Sequence, residues 1–379
     1  MHTPKRVIMA VHSDYVHDHR VRREAKALTD TGIALEVIAA APQISEASDQ
    51  SLDGAVIHRI PLLQQSGKAR YLAFIRAVKS RLNQLQPAAL YHAHDLDGLM
   101  AVAAFAKRRN KMLIYDSHEL HTEVHSLQGR PFTRWVWKQI ERRYIRKADR
   151  IITVSDGIAD VLQQRYQLRA KPDVVRNFTD RLRFKDTEPT TRESLHLPQT
   201  KHIALYQGVV QHGRGIPAML EAIAQTTDWG FVICGDGAQK PAMESLAAEL
   251  GIGDRVRFTG MVSRDHIGKI SRHCHAAFLL TEPVGLSHFY SLPNKLTEYI
   301  HYGLPVVATG LPEIRNIVES YGTGKIISAD RFEAAEISEA LHEIGAAPNQ
   351  FQHGLQKASE TLNWQTEKER LLAIYRELL

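Results

Sequence analysis

The sequence is poor in the features that mark secreted, membrane-spanning or nucleic-acid-binding proteins. Its two cysteines, Cys234 and Cys274, are far apart and sit beside apolar runs, so we expect reduced core residues. No apolar run approaches the ~18 residues that a membrane-spanning helix needs. The first apolar run, residues 7–11, has the length of a strand and is followed at once by polar and charged residues, unlike a cleaved signal. The sequence therefore predicts a cytoplasmic protein.

The net charge is small but unevenly distributed. The segment 130–150 contains eight basic residues and two acidic ones, an excess that equals the whole chain's formal net charge of +6. Val136, Ile140 and Tyr144 fall at helical spacing, which indicates a core stripe with a solvated charged face. The alternative is a patch that contacts an anionic membrane at its inner, cytoplasmic face. The segment lacks an aromatic platform with a reader motif, which argues against nucleic acid as a partner.

The length and the order of apolar segments predict two α/β domains. A chain of 379 residues exceeds one average core. Strand-length runs alternate with helical patterns, the order typical of a parallel sheet, and the first series is 6–11, 34–40, 56–60, 90–93, 112–115 and 151–154. A second series begins at 203–206, after a stretch rich in proline and threonine. We assign a first domain to 1–180, a linker to 181–200, a second domain to 201–360 and a C-terminal helix to 361–379.

Polar residues follow the predicted strands of the first domain directly. They are Ser13-Asp14, His94-Asp95, Asp116-Ser117-His118-Glu119 and Ser155-Asp156. Because the carboxyl ends of parallel strands meet at one edge of a sheet, we expect these groups to converge there. The alternative is that these residues cap the N-termini of the helices that follow. Capping accounts for Ser155 and Asp95 better than for His94 or His118, since histidine is a poor cap.

A metal site is not predicted at this edge. The sequence His118-Glu119-Leu120-His121 places its two histidines three residues apart, whereas a zinc-protease helix needs His-Glu-x-x-His. We therefore expect no metal ligands here.

The second predicted domain carries two glycine turns. The first is Gly208-Val209-Val210-Gln211-His212-Gly213-Arg214-Gly215, which precedes a helix and holds one cation. Such a turn can bring backbone N–H groups and a guanidinium to a diphosphate. The second is Gly235-Asp236-Gly237, which follows a strand and lacks the third glycine of a dinucleotide fingerprint, because residue 240 is lysine.

The segment 291–311 combines a loop, a short helix and a buried strand. Pro293 and Asn294 precede a helix predicted over 295–302, and a β-branched run follows at 305–309. The N-terminus of such a helix favours an anion, and Lys295 adds a cation on its first turn. Glu298 lies one turn later and can accept two hydrogen bonds from a vicinal diol such as a ribose.

These residues resemble a known family. The order Pro-x-Lys-x-x-Glu-Tyr followed by Gly-x-Pro-Val-Val-Ala is similar to the donor-site segment of retaining glycosyltransferases of the GT-B fold, family-4-like (group 1). The resemblance implies two facing Rossmann-like β/α/β domains, with a C-terminal helix that crosses back to the first. It implies that Glu298 binds the ribose of a sugar nucleotide, that Arg214 lies at the phosphates and that His118 approaches the transferred sugar.

The resemblance assigns the site residues as follows. The catalytic group is His118, Glu119 and His94, the donor-binding group is Gly208, Arg214, Gly215, Gly235, Asp236, Gly237, Pro293, Asn294, Lys295 and Glu298, and the acceptor side is Ser13, Asp14 and Arg20. The chain departs from the family pattern at Val209, where an arginine is usual, and at Tyr290, where the first of two glutamates is usual.

The function that the resemblance implies is transfer of a sugar, with retention, from a nucleotide-diphospho-sugar of the UDP or GDP type to a glycan or lipid-linked acceptor. Such a transferase is expected to work without metal or other cofactor, in cell-surface polysaccharide or glycoconjugate synthesis. Two alternatives remain open. One is a sugar-nucleotide epimerase of the same architecture, and the other is a catalytically degenerate protein that binds a nucleotide sugar.

Overall fold

The computed structural model describes residues 5–41, 49–62, 68–124, 127–181 and 189–379. These residues form two compact units. The first unit comprises the described chain as far as Asn177 together with Gly285–Ser287 and Gln365–Leu379, and the second comprises Phe178–Val284 and His288–Trp364. The end of the chain therefore belongs to the first unit. Part of the predicted linker, residues 182–188, lies outside the described residues.

The first unit is built on a sheet whose strand order is β3-β4-β2-β1-β5-β6-β7-β8. Its strands are β1 Arg6–Val11, β2 Ala34–Ala41, β3 Asp49–Leu52, β4 Ala55–Pro61, β5 Leu90–His94, β6 Met112–Ser117, β7 Arg150–Thr153 and β8 Asp173–Val174. Neighbouring strands are parallel except β3 and β4, which are antiparallel. Strand β3 was not predicted, because its sequence Asp-Gln-Ser-Leu has no apolar alternation.

The second unit contains a wholly parallel sheet in the order β11-β10-β9-β12-β13-β14. Its strands are β9 His202–Gln207, β10 Trp229–Cys234, β11 Val256–Gly260, β12 Ala276–Leu279, β13 Val306–Thr309 and β14 Gly324–Ile327. Strands β9, β10, β12 and β13 are buried throughout, as expected of a parallel sheet covered on both faces.

The helices connect these strands in chain order. They are α1 His19–Thr29, α2 Lys68–Gln84, α3 Asp95–Arg108, α4 Pro131–Ile145, α5 Asp156–Tyr166, α6 Ile216–Ala224, α7 Lys240–Glu249, α8 Arg264–Ser271, α9 Gly285–Phe289, α10 Asn294–His301, α11 Pro312–Tyr321, α12 Ala334–Ala346, α13 Gln352–Thr361 and α14 Trp364–Leu378.

Local sequence explains where several helices begin. Asp18 and Ser155 accept hydrogen bonds from the backbone N–H groups of the first turns of α1 and α5, which confirms the capping role predicted for Ser155. Proline occupies the first turn of α4, α6, α7 and α11, where its missing N–H costs nothing. Within the described part of the chain, no helix combines the length and the apolar character needed to span a membrane.

Candidate active site

Two polar strand ends of the first unit meet as predicted. Strands β5 and β6 are neighbours, with His94 paired to Asp116 in the register of the two strands. His118 follows one residue after the end of β6, and its Nε2 lies 3.1 Å from Nδ1 of His94. The parallel arrangement therefore brings His94 and His118, which are 24 residues apart in sequence, into direct contact.

His118 is held between two carboxylates. Its Nε2 lies 3.3 Å from Oδ2 of Asp116, and its Nδ1 lies 3.4 Å from Oδ2 of Asp95. Burial lowers the pKa of His118, but the two carboxylates outweigh that effect and raise it to about 9. His94 differs, because burial and the neighbouring histidines lower its pKa to about 3. At neutral pH the pair therefore consists of a charged His118 and a neutral His94.

Asp95 adopts an uncommon backbone conformation beside this pair. It is the first residue of α3 and has a φ of 56°, which residues other than glycine rarely adopt. The helix N-cap is His94, whose side chain makes no capping bond, so Asp95 does not cap α3. Its carboxylate instead accepts the backbone N–H of His118 at 3.1 Å. Backbone strain of this kind concentrates at functional sites.

Arg20 lies inside the first unit and differs from the predicted acceptor contact. Only 5% of the residue is exposed, and its guanidinium donates to both oxygens of Asp116 and to the carbonyl oxygen of Val175. Its Nε also lies 3.1 Å from Oε1 of Glu24. A signal for this burial was present but missed, because Arg20, Glu24 and Leu28 recur at the spacing of one helix face. A guanidinium with these partners organises the site and does not face an acceptor directly.

The remaining predicted residues of the first unit have different environments. The Ser13 hydroxyl donates to Asp18. Asp14 accepts the N–H of Val16, and its carboxylate lies 3.0 Å from Arg59. Glu119 is exposed, and its carbonyl oxygen accepts the hydroxyl of Ser117. Asp14 is thus engaged in structural contacts, whereas the Glu119 side chain faces solvent.

Sequence reasoning missed a further histidine at the end of β1. His12 lies next to the predicted Ser13, and its Nδ1 contacts Oδ2 of Asp97 on α3. The His12 ring stacks on Phe74 with centroids 4.4 Å apart and meets the edge of Tyr71 at 5.3 Å. The rule that predicted Ser13 applies equally to His12, since it is the first residue after the strand.

One buried group among the described residues has the composition of a metal site. The ligand atoms of Glu24, His92, His94 and Asp116 lie within 4.8 Å of one another. However, the Arg20 guanidinium already contacts both carboxylates. A divalent ion would have to displace this cation or bind against its repulsion, so we assign no metal to the group.

The second unit places two cations beside its first glycine turn. Lys295, on the first turn of α10, has its Nζ 3.5 Å from the Tyr206 hydroxyl and 4.6 Å from the centre of the Tyr206 ring. Burial lowers the pKa of Lys295 to about 8, and the positive charge of Arg214 adds to the effect. Gly208 has a φ of 132°, a backbone conformation that favours glycine, and a side chain there would also have to displace the end of Lys295. Of the residues that the structure describes, none forms an ion pair with Arg214 or Lys295.

The second glycine turn packs against the first. The backbone N–H of Gly208 donates to the carbonyl oxygen of Cys234, and that of Val210 donates to the carbonyl oxygen of Asp236. A side chain at Gly235 would overlap the Gly208 carbonyl oxygen, and one at Gly237 would overlap that of Val210. Gly235 and Gly237 are therefore required for this close backbone approach.

A cavity of about 240 Å³ adjoins the first turn. Gly215, which begins α6 with a φ of 65°, lies in its wall near Leu280 and Phe332, and Glu282 lines it as well. Pro293 and Asn294 form the N-cap and first residue of α10, which places Lys295 at a helix N-terminus as predicted.

Glu298 has two partners that the sequence did not reveal. One carboxylate oxygen accepts the side-chain amide of Gln207, and the other contacts the Arg264 guanidinium. The Glu298 side chain is 12% exposed, whereas that of Arg264 is 54% exposed. A diol can therefore reach Glu298 only by sharing or displacing its contact with Arg264.

Comparison with known proteins agrees with this arrangement. The family described as Glycosyltransferase Family 4 matches residues 19–183, and Glycosyl transferases group 1 matches residues 187–360. Alpha-D-kanosaminyltransferase from Streptomyces kanamyceticus is 26% identical over 76% of this chain and 77% of that protein. 2-Deoxystreptamine glucosyltransferase from the same organism is 30% identical over 45% of each protein, so the match spans less than half of that relative.

Solved structures share the fold across nearly the whole chain. Sucrose-phosphate synthase from Thermosynechococcus elongatus has a TM-score of 0.78 at 18% identity, with 99% of both chains covered. Anabaena Alr3699/HepE in complex with UDP and glucose has a TM-score of 0.73 at 15% identity, with 98% of this chain and 100% of that chain covered. With two matched families in chain order on two Rossmann-like units, this chain belongs to the group 1 glycosyltransferases of the GT-B fold and is a glycosyltransferase.

Proposed function

We propose that the protein transfers a sugar, with retention, from a nucleotide-diphospho-sugar. The observation that carries the proposal is the pair Arg214 and Lys295, two cations without a carboxylate partner among the described residues, beside a glycine turn and a helix N-terminus. A buried cation that lacks a partner is costly, so a diphosphate there would relieve its cost. The same cations would stabilise the charge that develops on the leaving diphosphate, without a required metal.

The nucleoside would bind through Glu298. Its carboxylate can accept both hydroxyls of a ribose, and it lies one turn from Lys295 on α10. Support for a nucleotide donor comes from Anabaena Alr3699/HepE, which shares the fold and whose structures contain UDP or UDP-glucose. We propose a donor of the UDP or GDP type.

The first unit would orient the transferred sugar and receive the acceptor. His118 is a cation at neutral pH and can donate a charged hydrogen bond to a sugar hydroxyl. We propose a glycan or lipid-linked acceptor, as part of cell-surface polysaccharide or glycoconjugate synthesis. Relatives of this chain include a lipopolysaccharide core biosynthesis glycosyltransferase from Rhizobium meliloti and an alpha-monoglucosyldiacylglycerol synthase from Streptococcus pneumoniae, which supports these acceptor classes.

Unfolding followed by calorimetry with UDP, GDP or ADP, in the presence of a chelator, tests the donor site. A nucleotide at ~100 times its Kd should raise the free energy of unfolding by about 2.7 kcal/mol. This stabilisation should be selective for one base and should be smaller in Glu298→Ala. Arg315→Ala is the matched control, since Arg315 pairs with Glu319 on the exposed face of α11. Absence of a shift with every nucleotide would contradict the proposal.

Product analysis then distinguishes a glycosyltransferase from a sugar-nucleotide epimerase. A transferase should leave its nucleotide sugar unchanged in configuration until an acceptor is added. Conversion of the donor to an epimer without an acceptor would favour the epimerase, and nucleotide binding without either reaction would favour a degenerate binding protein.

We also propose that α4 contacts an anionic membrane at its inner, cytoplasmic face. Phe132 and Trp135 are 74% and 57% exposed, and their rings stack with centroids 6.1 Å apart. Exposed aromatic rings on a basic helix suit the boundary between lipid headgroups and acyl chains. Sedimentation with vesicles that contain anionic lipid should be lost in the double variant Phe132→Ser and Trp135→Ser. It should persist in Leu72→Ser, which removes an exposed apolar side chain from α2.

A further inference from the structure

The last helix of the chain reaches the interior of the first unit through one tyrosine. Tyr375 on α14 is 2% exposed, and its hydroxyl oxygen lies 2.6 Å from Nδ1 of His92 on β5. The two residues are 283 positions apart in sequence. His92 is fully buried, so this hydroxyl replaces the solvent that would otherwise satisfy its ring nitrogen.

His92 continues this contact towards His118. His92 and His94 are two residues apart on β5 and therefore lie on the same face of the sheet, where their rings stack with centroids 4.3 Å apart. His94 Nδ1 in turn lies 3.1 Å from His118 Nε2. A continuous series of contacts, Tyr375 to His92 to His94 to His118, thus joins α14 to the candidate catalytic histidine.

The surrounding charges fix the direction of the first hydrogen bond. Nε2 of His92 has no hydrogen-bond partner and faces Oδ2 of Asp116 at 3.8 Å. A lone pair on Nε2 would face this carboxylate and be repelled, whereas an N–H there would be attracted. The proton of neutral His92 therefore belongs on Nε2, and Nδ1 accepts the hydrogen bond that the Tyr375 hydroxyl donates. Burial raises the pKa of Tyr375 well above its ordinary value, which keeps this donor protonated.

Asp116 connects the two ends of the series. The oxygen that faces His92 also lies 3.3 Å from Nε2 of His118 and accepts from Arg20 at 2.9 Å. A turn of the His92 ring would move its Nε2 relative to this oxygen and would move the stacked His94 ring as well. The hydroxyl of Tyr375, which holds the other nitrogen of that ring, is therefore linked through His92 to two of the groups that contact His118.

We propose that Tyr375 and His92 are positioning residues for His118, because the Tyr375 hydroxyl holds Nδ1 of His92 and the ring held in this way packs on His94 and faces Asp116. The inference rests on the proposed function only in giving His118 a role in sugar transfer. It assigns the final helix a part in the active site as well as in the fold.

Nitrogen NMR of labelled histidines tests the proposal without reference to activity. In the unaltered protein at neutral pH, His92 should show its proton on Nε2, and a proton on Nδ1 would overturn the inference at once. In Tyr375→Phe the aromatic packing is retained and the His92 proton should stay on Nε2, which Asp116 still faces, but the His92 Nδ1 and His118 Nε2 resonances should both shift because Nδ1 loses its hydrogen bond. Unchanged resonances of both histidines would equally overturn it.

The control is Tyr91→Phe. Tyr91 is also fully buried, and its hydroxyl accepts the backbone N–H of Ala88, so the variant loses a buried hydrogen bond of comparable type in the same strand as His92. It should lower the free energy of unfolding without shifting the His92 Nδ1 or His118 Nε2 resonances. Equal shifts of these resonances in Tyr91→Phe would mean that loss of any buried hydrogen bond in this strand produces the effect, and would contradict the proposal.

Turnover provides the second measurement. Tyr375→Phe should lower kcat for sugar transfer roughly 3- to 10-fold, the range expected for one net hydrogen bond, while the Kd of the nucleotide stays unchanged. If the unaltered protein bound no nucleotide, the proposed function would be refuted but the tautomer assignment would not. A normal kcat in Tyr375→Phe would refute the positioning role.

Discussion

The candidate sites of the two units differ in whether their charged side chains are paired with one another. In the first unit, Asp116 is surrounded by Arg20 and His118, and Asp95 provides a second carboxylate for His118. In the second unit, Arg214 and Lys295 are neighbouring cations that no described carboxylate pairs with. The first site pairs its charges with one another, whereas in the second site these two cations form no ion pair with the residues that the structure describes.

This difference indicates which part of a substrate each site suits. A balanced site with fixed hydrogen-bond donors and acceptors can orient an uncharged sugar without large rearrangement. A site with excess positive charge favours an anion, because the anion removes repulsion that the empty site contains. The first site should therefore depend on its charges for folding, and the second should depend on them for binding.

The largest effect should follow from Asp116→Asn. This change leaves Arg20 and His118 buried without their shared carboxylate and should lower the free energy of unfolding by about 3–5 kcal/mol. Urea unfolding measures the effect. Asp173→Asn is the control, because Asp173 pairs with Arg150 near the surface, where such pairs contribute about 0–1 kcal/mol. Equal losses in both variants would show that the buried carboxylate contributes no more to the free energy of unfolding than the one near the surface.

The pH dependence of stability should distinguish the sites by its sign. The folded-state pKa of His118 is about 9, above the ~6.5 of an unfolded histidine, so its contribution is complete below pH 6.5 and is lost as pH rises through 9. The folded-state pKa of Lys295 is about 8, below the unfolded ~10.4, so stability associated with it rises between pH 8 and 10.4. Each effect is on the order of 3 kcal/mol at most.

Urea midpoints measured from pH 6 to 10.5 test this contrast in variants that remove one group at a time. His118→Gln should remove the fall in stability with pH, and Lys295→Met should remove the rise. Slopes of the same sign for both groups would contradict the difference between the sites.

The next largest effect concerns nucleotide binding. Lys295→Met and Arg214→Met should each weaken binding of the preferred nucleoside diphosphate by about 1.5–3 kcal/mol, because each removes a charged hydrogen bond to the diphosphate. The free protein should become no less stable in Lys295→Met, since a partly buried cation without a carboxylate partner is removed. Calorimetry and urea unfolding of the same variants provide both values. If Lys295→Met lost as much stability as Asp116→Asn, Lys295 would have a role in stabilising the folded protein and not in binding the nucleotide.

The strands and the meeting of neighbouring strand ends were predictable, whereas the contact of the last helix with the sheet was not. The run 112–115 identified β6 because β-branched and aromatic residues favour strands. The polar residues that follow β5 and β6 could be placed together because parallel strands end at a common edge. The contact of Tyr375 with His92 could not, because 283 residues separate them and only the order of the sheet brings α14 to β5.

The sequence also did not determine the burial and the charge partners of individual side chains. Arg20 and Arg214 both occur at turns or helix starts beside polar residues, yet Arg20 is buried with three partners and Arg214 is only partly buried. Composition and spacing do not distinguish these outcomes, because the balance of charge depends on which carboxylates the fold brings near. The pairing of Glu298 with Arg264 arises in the same way from two separate helices.

The smallest effect should follow from Arg264→Met. Arg264 is mostly exposed and occupies one oxygen of Glu298, while Gln207 holds the other. A ribose diol would compete with the exposed guanidinium for that oxygen, so removal of Arg264 should tighten binding of the nucleoside diphosphate slightly, by an amount in the ~0–1 kcal/mol range of surface ion pairs. The gain should disappear for the corresponding 2′-deoxy nucleotide, which lacks half of the diol. Weaker binding of both nucleotides would instead mean that Arg264 holds Glu298 in place, and the second site would then share the internal charge balance of the first.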